Sequence, residues 1–255
     1  MRFGKNQRFE TLVSSAAARS LSNSPAELFN YCLKFGQRLL PQACRLCGAG
    51  TTGAAFCAPC AAELPWLPPR RCAVCAIPLA SGTVCGACLD RPPRFEKVEA
   101  VFAYRFPVDA LICAYKYGGR LALARPLGEM LGARVARDVD AIVPMPLANG
   151  RLAERGFNQA LEIARVAAAG AGIRLLPGVC RKVADTPPQA ALPWKERAKN
   201  VRRAFVCDLD LRGARVAVVD DVLTTGASLN ELARVLLKAG AASVRGWIVA
   251  RTLPY

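Results

Sequence analysis

Cys44, Cys47, Cys57, Cys60, Cys72, Cys75, Cys85 and Cys88 form four CxxC pairs, and the second four cysteines repeat the first with an offset of 28 residues at every position. Each half reads CxxC, nine residues, CxxC. A CxxC turn brings two thiolates to one side of a tight knuckle, and two knuckles complete the tetrahedral four-sulfur set that zinc prefers. A fourth protein ligand leaves no position at which a water is activated, so such sites hold structure rather than perform chemistry. Two structural zinc ions are therefore expected. Sets of four cysteines also hold iron–sulfur clusters, but nothing else in the chain suggests electron transfer, and two repeated ribbons suit zinc. Sequential use, with Cys44, Cys47, Cys57 and Cys60 on one ion and the other four on the second, follows from the repeat. An interleaved pairing stays open; it would need the linker around residues 65–70 to cross over.

In an exported protein the same cysteines would suggest disulfides, so the compartment matters. The first residues carry Arg2, Lys5, Arg8 and Arg19, but Glu10 and several polar residues interrupt any apolar core of an export signal. The longest apolar runs, such as 216–219 and 248–250, fall far short of the roughly 20 residues needed to cross a bilayer. A cytoplasmic protein with no membrane insertion is expected. Histidine is absent, which excludes His-ligated metals, Ser–His and Cys–His nucleophile pairs and any histidine general base. The 35 Lys and Arg against 19 Asp and Glu give a net charge of +16, which favours a polyanionic partner, nucleic acid or a phosphorylated small molecule. Arginines spread over a solvated surface give the same sum. Cys32, Cys113, Cys180 and Cys207 stand outside the repeat and read as inert core thiols.

Along the chain, residues 1–43 read as a leader whose second half, 25–40, places Leu28, Tyr31, Cys32, Phe35 and Leu39 at helical spacing. Residues 44–94 are turn-rich, with Pro65, Pro68 and Pro69 between the two ribbon halves. Residues 95–255 alternate strand-like and helix-like runs, the pattern of an α/β domain with a mostly parallel sheet flanked by helices. Strands are expected over 98–104, 139–143, 215–219 and 244–250, and helices over 121–137, 158–169 and 227–239. The polar, basic stretch 181–200 is expected to be a long mobile loop.

The most informative segment is Val218-Val219-Asp220-Asp221-Val222-Leu223-Thr224-Thr225-Gly226-Ala227-Ser228. A buried apolar strand runs into two adjacent carboxylates, then through a Thr- and Gly-containing turn into a helix. Such a turn offers backbone N–H groups, hydroxyls and the positive end of a helix dipole to a phosphate. The carboxylates do not serve the same phosphate; they suit ribose hydroxyls, while magnesium offsets their repulsion from a nearby pyrophosphate. A second strand, 142–144, leads through Met145-Pro146-Leu147 into a basic loop with Arg151 and Arg155, whose guanidinium groups pair donors to phosphate oxygens.

The run VVDDVLTTGAS resembles the 5-phosphoribosyl 1-pyrophosphate motif of type I phosphoribosyltransferases. The resemblance implies a fold of that type, with Asp220 and Asp221 on the ribose, Thr224, Thr225, Gly226, Ala227 and Ser228 around its 5-phosphate, and Arg151 and Arg155 near the pyrophosphate. Lys116-Tyr117-Gly118-Gly119, the RGFNQA run at 155–160, and Thr186, Gln189, Arg197 and Asn200 extend the match over about residues 96–255. With the upstream CxxC pairs, the chain resembles the ComF family, whose bacterial members are associated with DNA uptake in natural transformation and, in relatives called GntX, with use of gluconate or DNA as nutrient. The family commonly has a histidine after VPxPL, where this chain has Ala148. The resemblance implies phosphoribosyl transfer to an acceptor the sequence does not name. A different class of function stays open: a non-catalytic module that senses the phosphoribosyl ligand while its ribbons grip single-stranded DNA through Arg70, Arg71, Arg91 and Arg94. The ribbons also suit docking of other competence proteins.

Overall fold

A computed structural model describes residues 41–183 and 203–253. The helix expected over 25–40 and most of the loop expected over 181–200, with Thr186, Gln189, Arg197 and Asn200, lie outside the described residues. The chain divides into two compact units, 1–64 and 65–255, so that the first ribbon falls in one and the second in the other.

In the first unit, strands β1 (Pro41–Ala43) and β2 (Gly50–Thr52) pair antiparallel around the first CxxC turn, and helix α1 (Ala58–Ala62) starts directly after Cys57 with Pro59 in its first turn. The 28-residue repeat is a repeat of hydrogen bonds. Cys44 N–H donates to Ala49 O and Arg45 N–H to Ala55 O; Cys72 N–H donates to Ile77 O and Ala73 N–H to Thr83 O. The first knuckle of each ribbon closes on a left-handed residue, Gly48 at φ 78° in the first ribbon and Ala76 at φ 60° in the second. Ala76 is fully buried, and an alanine in that region costs on the order of 1 kcal/mol.

The second unit opens with the second ribbon, which ends in helix α2 (Gly86–Asp90). Then follow β3 (Lys97–Ala103), α3 (Val108–Tyr117), a 3-10 turn (Leu121–Leu123), α4 (Ala124–Gly132), β4 (Ala141–Pro144), α5 (Asn149–Arg155), α6 (Gln159–Ala171), β5 (Arg174–Leu175), β6 (Cys180–Lys182), β7 (Phe205–Cys207), β8 (Arg215–Leu223), α7 (Ala227–Lys238) and β9 (Ser243–Arg251). Strands β3, β9, β8, β4 and β5 form, in that order, one sheet in which every neighbouring pair is parallel. Both faces of its centre are covered, which is why residues 216–219 and 247–250 read as continuous apolar runs and are almost wholly buried. The fold is α/β with a parallel sheet, preceded by cysteine-rich ribbons, as expected.

The second ribbon and its linker cover the outer edge of β3. Ala103 N–H donates to Pro65 O (2.7 Å), Leu67 N–H to Val101 O (3.0 Å) and Val98 N–H to Val74 O (2.8 Å), which satisfies backbone groups that an open edge strand would expose. Trp66 packs on Phe102 with ring centroids 4.6 Å apart, and the Arg134 guanidinium lies 4.1 Å over the Trp66 ring.

Two departures from the expected elements have local causes, and two helices were not expected at all. Helix α4 ends at Gly132 rather than 137, because the chain turns away to lay Arg134 on Trp66 and to let Ala136 N–H donate to Glu99 Oε1. Strand β8 continues through both acids to Leu223, held in register by β9 as far as Arg251. The segments that form α3 and α5 carried no reading as helices.

Candidate functional site

The order of the strands locates a crevice before any side chain is considered. β5 follows β4 on one side of it, whereas β8 returns to β4's other side. At such a switch point the loops leaving two adjacent strands part, and in open α/β sheets ligands bind outside the carboxyl ends of the strands there. Asp220 and Asp221 near the end of β8, and Met145 to Ala148 after β4, line a cavity of about 710 Å³ at this point. Lys116, Arg151, Thr224 and Ser228 line it as well.

Asp221 is buried, and Lys116 Nζ from the last turn of α3 sits 2.8 Å from its Oδ2. The contact is ionic without hydrogen-bond alignment, so that oxygen has no hydrogen-bond partner among the described residues. Asp221 N–H donates to Asp220 Oδ1 (2.9 Å). Burial and the Asp221 carboxylate push the Asp220 carboxyl well above the usual range, with Lys116 opposing.

After β8 the chain turns through Gly226, left-handed at φ 80°, which caps α7 without a side chain. Thr225 Oγ1 accepts from Ala227 N–H (3.3 Å), and Asn230 N–H returns to Gly226 O (2.8 Å). Threonine and serine hydroxyls and the first N–H groups of a twelve-residue helix thus sit beside the cavity, an arrangement suited to an anion. Of the phosphate-loop residues expected from sequence, Thr224 and Ser228 line the cavity; Thr225, Gly226 and Ala227 form the turn behind them.

The two arginines of the basic loop separate. Arg151 lines the cavity. Arg155 instead donates to Gln159 Oε1 (2.6 Å) and lies 5.0 Å over the Tyr117 ring. Asn158 caps α6 by accepting from Ala160 and Leu161 N–H, and its Nδ2 donates to Met145 O, so RGFNQ ties the β4 loop to the start of α6. Buried Tyr115 donates to Gln159 O (2.9 Å), locking α3 to the same point. Ala148 is buried on the cavity wall.

Sequence reading gave no role to Arg251. It is buried in β9, and its guanidinium donates to Cys75 O (3.0 Å), Leu223 O (3.0 Å), Thr252 O (2.9 Å) and Thr224 O. One side chain therefore joins a knuckle of the second ribbon to the loop that leaves the acidic pair. The signal was present only as an arginine at the end of an otherwise apolar run.

The cysteine sets assemble sequentially. The sulfurs of Cys44, Cys47, Cys57 and Cys60 lie within 4.8 Å of one another, as do those of Cys72, Cys75, Cys85 and Cys88. The Cys47–Cys57 and Cys75–Cys85 sulfurs are each 3.6 Å apart, close to the edge of about 3.8 Å that four Zn–S bonds of about 2.3 Å define. Cys72 Sγ accepts from the backbone N–H of Cys75 (3.5 Å) and Cys85 (3.3 Å). Cys44 falls to about 6 through backbone hydrogen bonds, first from Cys47, while Cys60 rises to about 12 through its hydrogen bonds with Cys57 and Cys47. Negative charge shared among four sulfurs is what a divalent cation relieves. The donor set fits zinc in both places.

Fold and site together define a double zinc ribbon protein with an α/β domain whose acidic pair and helix N-terminus meet at a switch point. A family model described as the double zinc ribbon domain matches residues 35–89. DNA utilization protein YhgH of Salmonella typhimurium is 34% identical over 191 residues, 71% of this chain and 84% of its own length. Competence protein F of Haemophilus influenzae is 33% identical over 179 residues, covering 66% and 78%. The chain belongs to their family, the ComF family of competence and DNA utilization proteins. A solved structure of the allosteric regulatory enzyme of purine biosynthesis overlaps 53% of this chain and 29% of its own, at 22% identity and a TM-score of 0.36. No helix among the described residues is long and apolar enough to cross a membrane.

Proposed function

We propose that the switch-point cavity binds 5-phosphoribosyl 1-pyrophosphate with magnesium, and that this binding serves the role in DNA utilization or competence that the relatives' names carry. The observation that carries the reading is that Asp220 and Asp221 line one cavity with Thr224 and Ser228, the two ends of the turn that leads into α7. In this reading the carboxylates accept hydrogen bonds from the ribose hydroxyls. The 224–228 turn donates to the 5-phosphate, and Arg151 meets the pyrophosphate. Oxygen donors, one of them buried and without a hydrogen bond, suit magnesium. When bound, that ion offsets the repulsion between the carboxylates and the pyrophosphate. Lys116 supplies part of that compensation in the free protein by holding Asp221. Phosphoribosyl transfer would break the bond from ribose C1 to the pyrophosphate oxygen and form one from C1 to an acceptor nucleophile, releasing pyrophosphate.

Titration calorimetry of zinc-loaded protein with the ligand and magnesium tests binding, beside the Asp220→Asn, Asp221→Asn double variant. Affinity should fall on the order of 100-fold or more in the variant, since hydrogen bonds to charged groups contribute about 1.5–3 kcal/mol each. No binding to folded wild type would refute the reading. Pyrophosphate release with a nucleobase or amine then separates transfer from sensing. A second reading, single-stranded DNA held by the ribbon, is favoured by the exposure of Arg91 and Arg94; the exposed Arg70 donates to Ala80 O and Arg71 to Ala100 O. Affinity that falls steeply with salt would support it.

A further inference from the structure

Cys180 and Cys207 stand alone in sequence, yet they are direct partners across the antiparallel β6–β7 pair. The flanking backbone bonds fix the kind of position. Asp208 N–H donates to Val179 O (3.0 Å) and Val183 N–H to Ala204 O (2.8 Å), so by alternation Cys180 and Cys207 are a non-hydrogen-bonded pair. At such positions α-carbons lie about 4.5 Å apart and side chains approach most closely. A disulfide spans about 4.4–6.8 Å between α-carbons. Both thiols are free and neither belongs to a zinc set. Cys180 is buried and Cys207 half-buried, with the Cys207 thiol 3.6 Å from Leu209 O. Their mutual hydrogen bond brings Cys207 down to about 7, against the effect of burial, and raises Cys180. Of the two, Cys207 is the sulfur whose surroundings favour the thiolate.

We propose that Cys180 and Cys207 are a redox-active pair that hydrogen peroxide converts to a cross-strand disulfide. The Cys207 thiolate attacks one peroxide oxygen; an S–O bond forms, the O–O bond breaks, and the departing hydroxide takes a proton and leaves as water. The Cys180 sulfur then attacks the Cys207 sulfenic sulfur. The S–S bond forms, the S–O bond breaks, and the hydroxide leaves with the Cys180 proton as a second water. Two electrons pass from the sulfurs to the peroxide. The same two strands carry Lys182 and Phe205, paired with each other and both on the wall of the switch-point cavity. The crosslink therefore pins the register of two cavity residues, whatever the cavity binds.

The test is one equivalent of hydrogen peroxide on full-length, zinc-loaded protein, followed by alkylation, non-reducing digestion and mass spectrometry. The expected result is a Cys180–Cys207 crosslinked peptide at least about tenfold more abundant than any crosslink to the exposed Cys113. Zinc content should be unchanged, and dithiothreitol should reverse the crosslink. In Cys180→Ser the crosslink disappears and Cys207 is trapped as the sulfenic acid by dimedone. Alkylation of both cysteines in oxidised wild type, or a crosslink that forms only as zinc is lost, would overturn the proposal.

Discussion

Arg251 and Arg245 leave the same strand and do different work. Arg251 spreads its guanidinium over the carbonyls of Cys75, Leu223, Thr224 and Thr252. Buried carbonyls left without donors cost about 1–3 kcal/mol each, so Arg251→Met should lower stability by roughly 3–5 kcal/mol in urea unfolding. Arg245 donates to Glu96 through two nitrogens (3.0 Å each) and to Asp138. Hydrogen bonding to Arg245 holds both carboxyls below the usual range. Carboxylates with lowered folded values stabilise above their unfolded values near pH 4, and that contribution is lost as pH falls through the folded values. The Tm gap between wild type and Arg245→Gln should therefore be about 3 °C at pH 7 and close below pH 4; a gap unchanged by acid would contradict this. At this scale the sequence carried the acids and the ligand cysteines, because residue type and spacing name their chemistry. It carried Lys116 only as part of a matched run, without its partner, and did not carry Arg251; those partners lie 105 and 176 residues away in Asp221 and Cys75.

Among the elements, β8 and β9 were legible because both faces of a central parallel strand are buried and leave an apolar run, and β3, at the sheet edge, through its apolar second half, 100–103. The start of α6 was legible through Asn158, whose side chain caps it. Helix α3 was not, since Pro107 and the aromatic-rich run that follows have no capping residue and an interrupted polar face. The Cys180–Cys207 pairing was invisible for another reason: antiparallel register is set by the partner strand, not by local pattern. Packing between α4 and α6 depends on small residues in the same way. A Cβ on Gly128 would lie 2.6 Å from Val166 Cβ, whereas one on Gly170 meets nothing within 4 Å. Gly128→Ala should cost about 1–3 kcal/mol through overpacking. Gly170→Ala in exposed α6 should instead gain about 0.5–1 kcal/mol. Denaturant midpoints of the two variants moving in the same direction would refute this account of the helix interface.

Across the whole molecule, the second ribbon is more than a staple for its own residues. It covers the β3 edge, and through Cys75 O and Arg251 it reaches the loop that follows the acidic pair. None of its cysteines lines the cavity, yet Cys72→Ser should weaken phosphoribosyl ligand binding together with zinc loss at that site; undiminished affinity in a variant lacking that zinc would show that the coupling is absent. The most direct test of the central claim is amide hydrogen exchange with and without 5-phosphoribosyl 1-pyrophosphate and magnesium. New protection is expected at residues 221–230 and 145–151, the two segments that leave β8 and β4 at the switch point, with β5 unchanged. Ligand-dependent protection elsewhere, or none at these segments at saturating ligand, would contradict the claim.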